Sequence, residues 1–210
     1  MNVLAIGAHF DDVELGCGGA LAKHAKRGDN VYVYIATVSG FTNYNNQTVR
    51  SNETALLEGK NSMAILGVKE LICGRFKTLE IEFVDALNVE ILKIVQEKNI
   101  ELVYSHWVGD IHHDHQAVAK ASLHSCRHVP RLLIFRSNWY HSPLDFHSNF
   151  YVDISETLEI KERAILAHVS EMERTGKKWV RFFKNEAENA GQRIGVKYAE
   201  VYELLKWLEP

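Results

Sequence analysis

Five short apolar runs punctuate this chain, at Val3 to Ala8, Val31 to Val38, Glu70 to Cys73, Leu102 to Tyr104 and Leu132 to Phe135, each bounded by polar residues. Unbroken runs of this kind suit strands buried on both faces, since a strand with one wet face alternates apolar with polar. Between them apolar residues return at helical spacing, in Leu15-Ala20-Leu21-Ala22-Ala25, Ala55-Leu56-Met63-Leu66, Val84-Leu87-Ile91-Ile94-Val95 and Val118-Ala119-Leu123. Gly67 and Asn99 stand where the second and third of these need C-terminal caps. Strand and helix in strict alternation, joined by right-handed crossovers, build a parallel sheet with helices on both faces. The expected fold is α/β: a Rossmann-like, doubly wound, mostly parallel sheet of order about 3-2-1-4-5, flanked by helices and followed by a C-terminal helical extension. In that extension Ile154 to Arg174 reads as one long amphipathic helix and Lys177 to Arg193 as partly helical, while Ser137 to Asn149 reads as a functional loop.

A chain of 210 residues, 46% hydrophobic, can bury one sizeable core, so a single domain spanning 1–210 is expected. A net charge of −3, with Lys and Arg interleaved among acids, offers no footprint for a polyanion, and nucleic acid is not an expected partner. The start lacks the positive segment and apolar stretch of a signal peptide, and no run approaches the ~18 apolar residues of a membrane span. A cytoplasmic protein without a membrane span is therefore expected. Cys17, Cys73 and Cys126 are far apart and lack Cys-x-x-Cys spacing, which marks them as buried reduced thiols and not metal ligands.

The chemistry lies at two strand exits. His9-Phe10-Asp11-Asp12-Val13-Glu14 follows the first apolar run, and Gly109-Asp110-Ile111-His112-His113-Asp114-His115 follows the fourth. In the expected strand order these two strands are neighbours at the switch point, where ligands bind beyond the carboxyl ends. His9 and Asp12 facing His115 supply two imidazoles and one carboxylate, a set that leaves positions open on one divalent metal, Zn²⁺ or Fe²⁺. Asp11, adjacent to Asp12, cannot easily reach the same metal, which frees it to hold metal-bound water as general base. His113 is left out of the set as a pocket-wall or solvent residue, and His24, His124 and His128 read as helix-surface residues. Gly16, Gly18 and Gly19 do not make the G-x-G-x-x-G fingerprint, and the second strand lacks a terminal acid for a ribose, so close helix packing explains them.

Ala8-His9-x-Asp11-Asp12, Glu14-Leu15-Gly16-x-Gly18-Gly19 and His112-x-Asp114-His115 resemble the signatures of the PIG-L or LmbE-like family of zinc-dependent N-acetyl sugar deacetylases. The resemblance extends through Asp110, Lys161, His168-x-Ser170 and Gly195 to Glu200. It implies a Rossmann-like fold and removal of an acyl group, usually acetyl, from an amino sugar or sugar conjugate. By position it implies metal ligands His9, Asp12 and His115, a general base at Asp11, an oxyanion or leaving-group residue at His112, and a histidine-orienting Asp114. Asp110, Arg50, Trp139 and His168 become candidate substrate contacts, with Trp139-Tyr140-His141 as pocket wall, and small homo-oligomers are implied. Tyr44, Trp107 and Phe146 also fall at the crevice side. The chain departs from the pattern at Phe10 and His113, where the family carries proline, and at Glu171, where glutamine is frequent. A metal-dependent hydratase or lyase acting on an unsaturated carboxylate is the alternative that the same residues allow; a serine hydrolase is disfavoured by the lack of a G-x-S-x-G elbow.

Overall fold

The computed structural model describes residues 1–209, so the last position of the expected 1–210 span lies outside the described residues. In chain order its elements are β1 (Asn2–Gly7), α1 (Asp12–Lys26), β2 (Asn30–Thr37), β3 (Phe41–Thr42), β4 (Thr48–Arg50), α2 (Asn52–Leu66), β5 (Glu70–Phe76), α3 (Asp85–Glu97), β6 (Leu102–His106), α4 (His113–Ser125), β7 (Arg131–Phe135), β8 (Phe150–Asp153), α5 (Leu158–Leu166), α6 (Val169–Thr175), α7 (Lys178–Ile194) and β9 (Ala199–Trp207). The main sheet runs β5-β2-β1-β6-β7-β9-β8. Its first five members are parallel and reproduce the expected 3-2-1-4-5 order, with Val3 beside both Val31 and Leu102.

Strand alternation sends β1 into two cores. Val3 and Ala5 pack with Val13, Cys17 and Leu21 of α1 on one face, while Leu4 and Ile6 meet Leu87 and Ile91 of α3 and Val118 of α4 on the other. Burial on both faces is why the sequence of these strands is unbroken in its hydrophobicity.

Several expectations need correction, while one about the end of the chain holds. The sheet has two further strands, β9 antiparallel to β7 and β8 antiparallel to β9, so the described chain closes in a strand and not in a helical extension. The segment 154–174 is two helices, not one, because His168 leaves helical geometry at φ −81°, ψ 67° and turns its imidazole into the interior. Lys177 to Arg193, expected to be partly helical, is helical, lying almost entirely within α7. All three cysteines are free, but Cys73 is exposed because β5 is the sheet edge. His24 is buried on α1, where its ring lies 2.7 Å from Asp29 and 3.1 Å from the Tyr104 hydroxyl, and is not a surface residue.

The glycines at the start of α1 let it lie close on the sheet. A Cβ on Gly16 would overlap the Phe135 ring of β7, and one on Gly19 would press on Ile154. Gly16→Ala is expected to cost about 1–3 kcal/mol of overpacking, read as a lowered Tm in thermal unfolding. Below this turn the α1 backbone meets the last strand: Glu200 accepts from Gly19 N–H and Ala20 N–H, each at 2.8 Å, and from Lys161 Nζ and Tyr202 OH, each at 2.6 Å.

Candidate metal centre and cavity

Because β1 and β6 are neighbours, the residues that leave them face one another across the carboxyl edge of the sheet. Asp11 is the N-cap of α1 with φ 128° and ψ −28°, a conformation that side-chain-bearing residues rarely adopt and that clusters at functional sites. The two adjacent carboxylates have different surroundings. Asp12 is buried: its Oδ2 accepts from the N–H groups of Ala8 at 3.0 Å and His9 at 2.7 Å, and its Oδ1 accepts from Ser137 Oγ at 3.1 Å. Asp11 lines an open cavity.

The nitrogen His115 Nε2 lies 3.3 Å from His9 Nδ1 and 3.2 Å from Asp12 Oδ1, and Asp12 Oδ2 lies 3.5 Å from His9 Nδ1. The two carboxylate distances belong to different oxygens of Asp12; ligand atoms about 2.0–2.1 Å from a tetrahedral metal stand about 3.3 Å apart, and the spacings within this triangle of residues are close to that value. The far nitrogen of each ring meets a carboxylate, His9 Nε2 with Asp114 at 2.8 Å and His115 Nδ1 with Asp110 at 3.0 Å. Backing carboxylates of this kind fix the ring orientation of metal-ligating histidines and raise their basicity. The donor set and its backing fit a divalent cation. Burial works against a charged imidazole at both positions. Hydrogen bonds donated to Asp114 and Asp12 outweigh it and raise His9 to about 9, and the charge of Asp12 with the hydrogen bond donated to Asp110 raises His115 to about 10. A divalent cation answers the same negative field and leaves both facing nitrogens free to ligate.

His106 lies outside both sequence motifs and was not singled out by them. It is buried, its ring stacks on His115 at 4.2 Å, and its Nε2 sits 3.2 Å from Asp12 Oδ2 and 3.1 Å from Ala8 N. With Asp12 and His115 it forms one grouping able to hold a metal; His9, His112 and His115 form another, and His112, His113 and Asp114 a third. The one usable signal was position, since His106 ends β6 just as His9 follows β1.

His112 caps α4, its Nδ1 accepting from Asp114 N–H at 3.2 Å. That bond puts the ring proton on Nε2 in the neutral form. Burial, with the positive field of His115 and His9, lowers its pKa to about 4, so a neutral donor stands beside the triangle of His9, Asp12 and His115. Burial and the adjacent Asp12 charge push the Asp11 carboxyl up to about 7.

The cavity has a volume of about 300 Å³ and is lined by His9, Asp11, Asp12, His112 and His115 together with Arg50, Ser39, Phe41, Leu79, Asn138, Trp139, Tyr140, Glu171, Arg174 and Trp179, among others. That volume is at the small end of ligand pockets, which run roughly 300–1,000 Å³. Arg50 is buried and braced, its guanidinium donating to Phe10 O at 3.2 Å, Glu58 Oε2 at 2.8 Å and His168 Nδ1 at 3.0 Å. His168, a candidate substrate contact by sequence, sits behind Arg50 and bonds Glu14 through Nε2 at 2.6 Å, away from the cavity lining. Asp110, another such candidate, also lies behind the wall, held by Asn138 Nδ2 at 2.6 Å and by His112 N–H at 2.9 Å. Trp139 does line the cavity, packed on Trp179 and Phe182. Tyr44 is 95% exposed and Trp107 is buried against Phe146, so neither lines it. Glu171, Arg174 and Trp179 arrive from α6 and α7, and of these only Glu171 carried a sequence signal.

The two departures in the motifs are explained locally. Phe10 packs its ring where a Cβ on Gly59 of α2 would fall, and its N–H donates to Ser39 Oγ at 2.8 Å. His113 donates to Leu79 O at 2.8 Å. Asp114→Asn removes the negative charge that faces His9 Nε2 and the backbone N–H groups of Leu79 and Ile81. It is expected to weaken metal binding by about 10–100-fold, measured by competition with a chromophoric chelator.

The family model described as PIG-L: GlcNAc-PI de-N-acetylase matches residues 4–126. The Escherichia coli (strain K12) protein named uncharacterized deacetylase YaiS is 33% identical over 182 residues, covering 80% of this chain and 91% of its own. The diacetylchitobiose deacetylase of Thermococcus kodakarensis is 29% identical, covering 95% of this chain and 81% of its own. Among solved structures, the 4-carboxy-2-hydroxymuconate hydratase GalB of Pseudomonas putida KT2440 superposes with a TM-score of 0.83 at 17% identity, covering 100% of this chain and 98% of its own. At that identity the likeness is one of fold. No helix among the described residues is long and apolar enough to cross a membrane.

Proposed function

The chain belongs to the PIG-L family, and from that premise we propose that it is a metal-dependent N-deacetylase, cutting the amide of an N-acetylated amino sugar or sugar conjugate to acetate and a free amine. The observation that carries this reading is the triangle of His9 Nδ1, His115 Nε2 and Asp12 with Asp11 beside it in the cavity. His9, Asp12 and His115 would hold one divalent cation, and two imidazoles with one carboxylate suit zinc first and iron(II) second. When bound, such a cation polarises an amide carbonyl and acidifies water.

The remaining work falls to side chains. Asp11, with a carboxyl near neutrality, takes a proton from the attacking water and is then able to pass it to the departing amine. His112, neutral with its proton on Nε2, donates to the oxygen on which negative charge develops. Trp139 and Tyr140 offer ring faces to the apolar side of a sugar, and Arg50 offers a fixed positive charge to its polar groups.

Metal analysis of the purified chain, paired with acetate release from free and glycosidically linked N-acetyl sugars, tests the reading. Stoichiometric zinc or iron with acetate release is the expected result. Bound metal with no acetate, but with loss of an alkene conjugated to a carboxylate, would transfer the site to hydration; absence of bound metal would remove its basis.

A further inference from the structure

A second hollow of about 600 Å³ adjoins the catalytic cavity, and Phe41, Arg50, Thr78 and Leu79 line both. Its other walls include Thr42, Thr48, Ser51, Asn52 and Glu53, with Lys77 and Glu80 paired to each other, a polar lining of hydroxyls, an amide and carboxylates. Such a lining suits a polyhydroxylated unit more than an acyl chain.

Leu79 stands at the junction in an unusual state. Its φ is 67°, where a Cβ crowds the backbone and non-glycine residues are uncommon, and it is 48% exposed. Three hydrogen bonds impose this conformation: Asp114 accepts from Leu79 N–H at 2.7 Å and Ile81 N–H at 3.0 Å, and His113 Nε2 donates to Leu79 O at 2.8 Å. Asp114 is buried and also serves His9, so its place is fixed by the metal triangle. His113 has a side chain 59% exposed and ligates nothing in that triangle; its Nε2 donates to Leu79 O at 2.8 Å and stands 3.2 Å from Asp114 Oδ1, the carboxylate that holds the same turn.

We propose that His113 is a positioning residue that pins Leu79 as the partition between the catalytic cavity and the adjoining hollow, and that the hollow receives the second sugar of a glycosidically linked substrate. The second half of this rests on the deacetylase reading; the first half does not. A substrate of one sugar fills the cavity without crossing the partition, whereas a disaccharide passes Leu79.

The test compares the full chain with His113→Ala and His113→Gln, the glutamine amide being able to reach the Leu79 carbonyl as the imidazole does. Losing one hydrogen bond from the turn is expected to raise KM for N,N′-diacetylchitobiose by up to about tenfold, leaving kcat and the KM for N-acetylglucosamine within about twofold. Hydrogen exchange at the Leu79 and Ile81 amides should quicken in His113→Ala, and His113→Gln should restore both readouts. Equal KM shifts for the two sugars, or no shift, would overturn the partition. Unchanged exchange in His113→Ala would overturn the pin. Should the unmodified chain cleave neither sugar, the deacetylase reading falls while exchange in the same three proteins still decides the role of His113.

Discussion

Asp11→Asn is expected to lower acetate release by about 10²–10⁴-fold while metal content stays unchanged. The substitution keeps the volume of a side chain that lines the cavity and removes the one carboxyl there that is poised to exchange a proton near neutral pH. Asp12, one residue on, is held by two backbone N–H groups and Ser137, so the metal triangle does not depend on its neighbour. The sign of the pH dependence follows. A general base works only when ionised, and burial together with the Asp12 charge raises Asp11 to about 7, so kcat/KM should fall as pH drops through that region. A cation held beside it favours the ionised form and moves this limb to lower pH. The asparagine variant should lack the limb altogether. Loss of metal along with activity would show that the two aspartates do not divide their labour.

His115→Ala should do the opposite, removing metal and activity together. Its Nε2 is a corner of the triangle, its Nδ1 is the partner of Asp110, and its ring is stacked between those of His106 and His112 at 4.2 and 4.5 Å. Losing it leaves the buried Asp110 without its imidazole and Asp12 with only those of His9 and His106. Metal affinity should fall by more than the roughly 10–100-fold that follows loss of a residue backing a ligand. Metal analysis, circular dichroism to verify the fold, and acetate release check this. A variant that retains both metal and hydrolysis would place the centre elsewhere, with the Asp12 and His106 grouping the first alternative to probe.

The parallel half of the sheet was legible because each of its strands is buried on both faces and therefore reads as an unbroken apolar run. Strands β8 and β9 were not. The burial of β9 falls away after Tyr202, β8 is only partly buried, and neither carries the continuous signal. The break at His168 was equally hidden, since Glu14 and Arg50, the partners that draw its ring inward, lie 154 and 118 residues away. At the centre, His9, Asp12 and His115 could be singled out because they occupy two short motifs at strand exits. Asp110 and Asp114 sit in the same motifs, but their separate pairing with His115 and His9 depends on the turn into α4. His106 carried no motif, and Glu171, Arg174 and Trp179 reach the cavity from helices whose path depends on the end of the chain.

That path bears on how the protein folds. The residues proposed for chemistry are all in place by His115, yet the N–H groups of Gly19 and Ala20 find their buried acceptor in Glu200, 181 and 180 residues further on. Contacts of such sequence separation close late and slow the search for the native state. On the ribosome, the first α-helix would emerge with its metal-facing turn already written but its footing unmade, and the centre should gain its rigidity only when the ninth strand slots between the seventh and eighth.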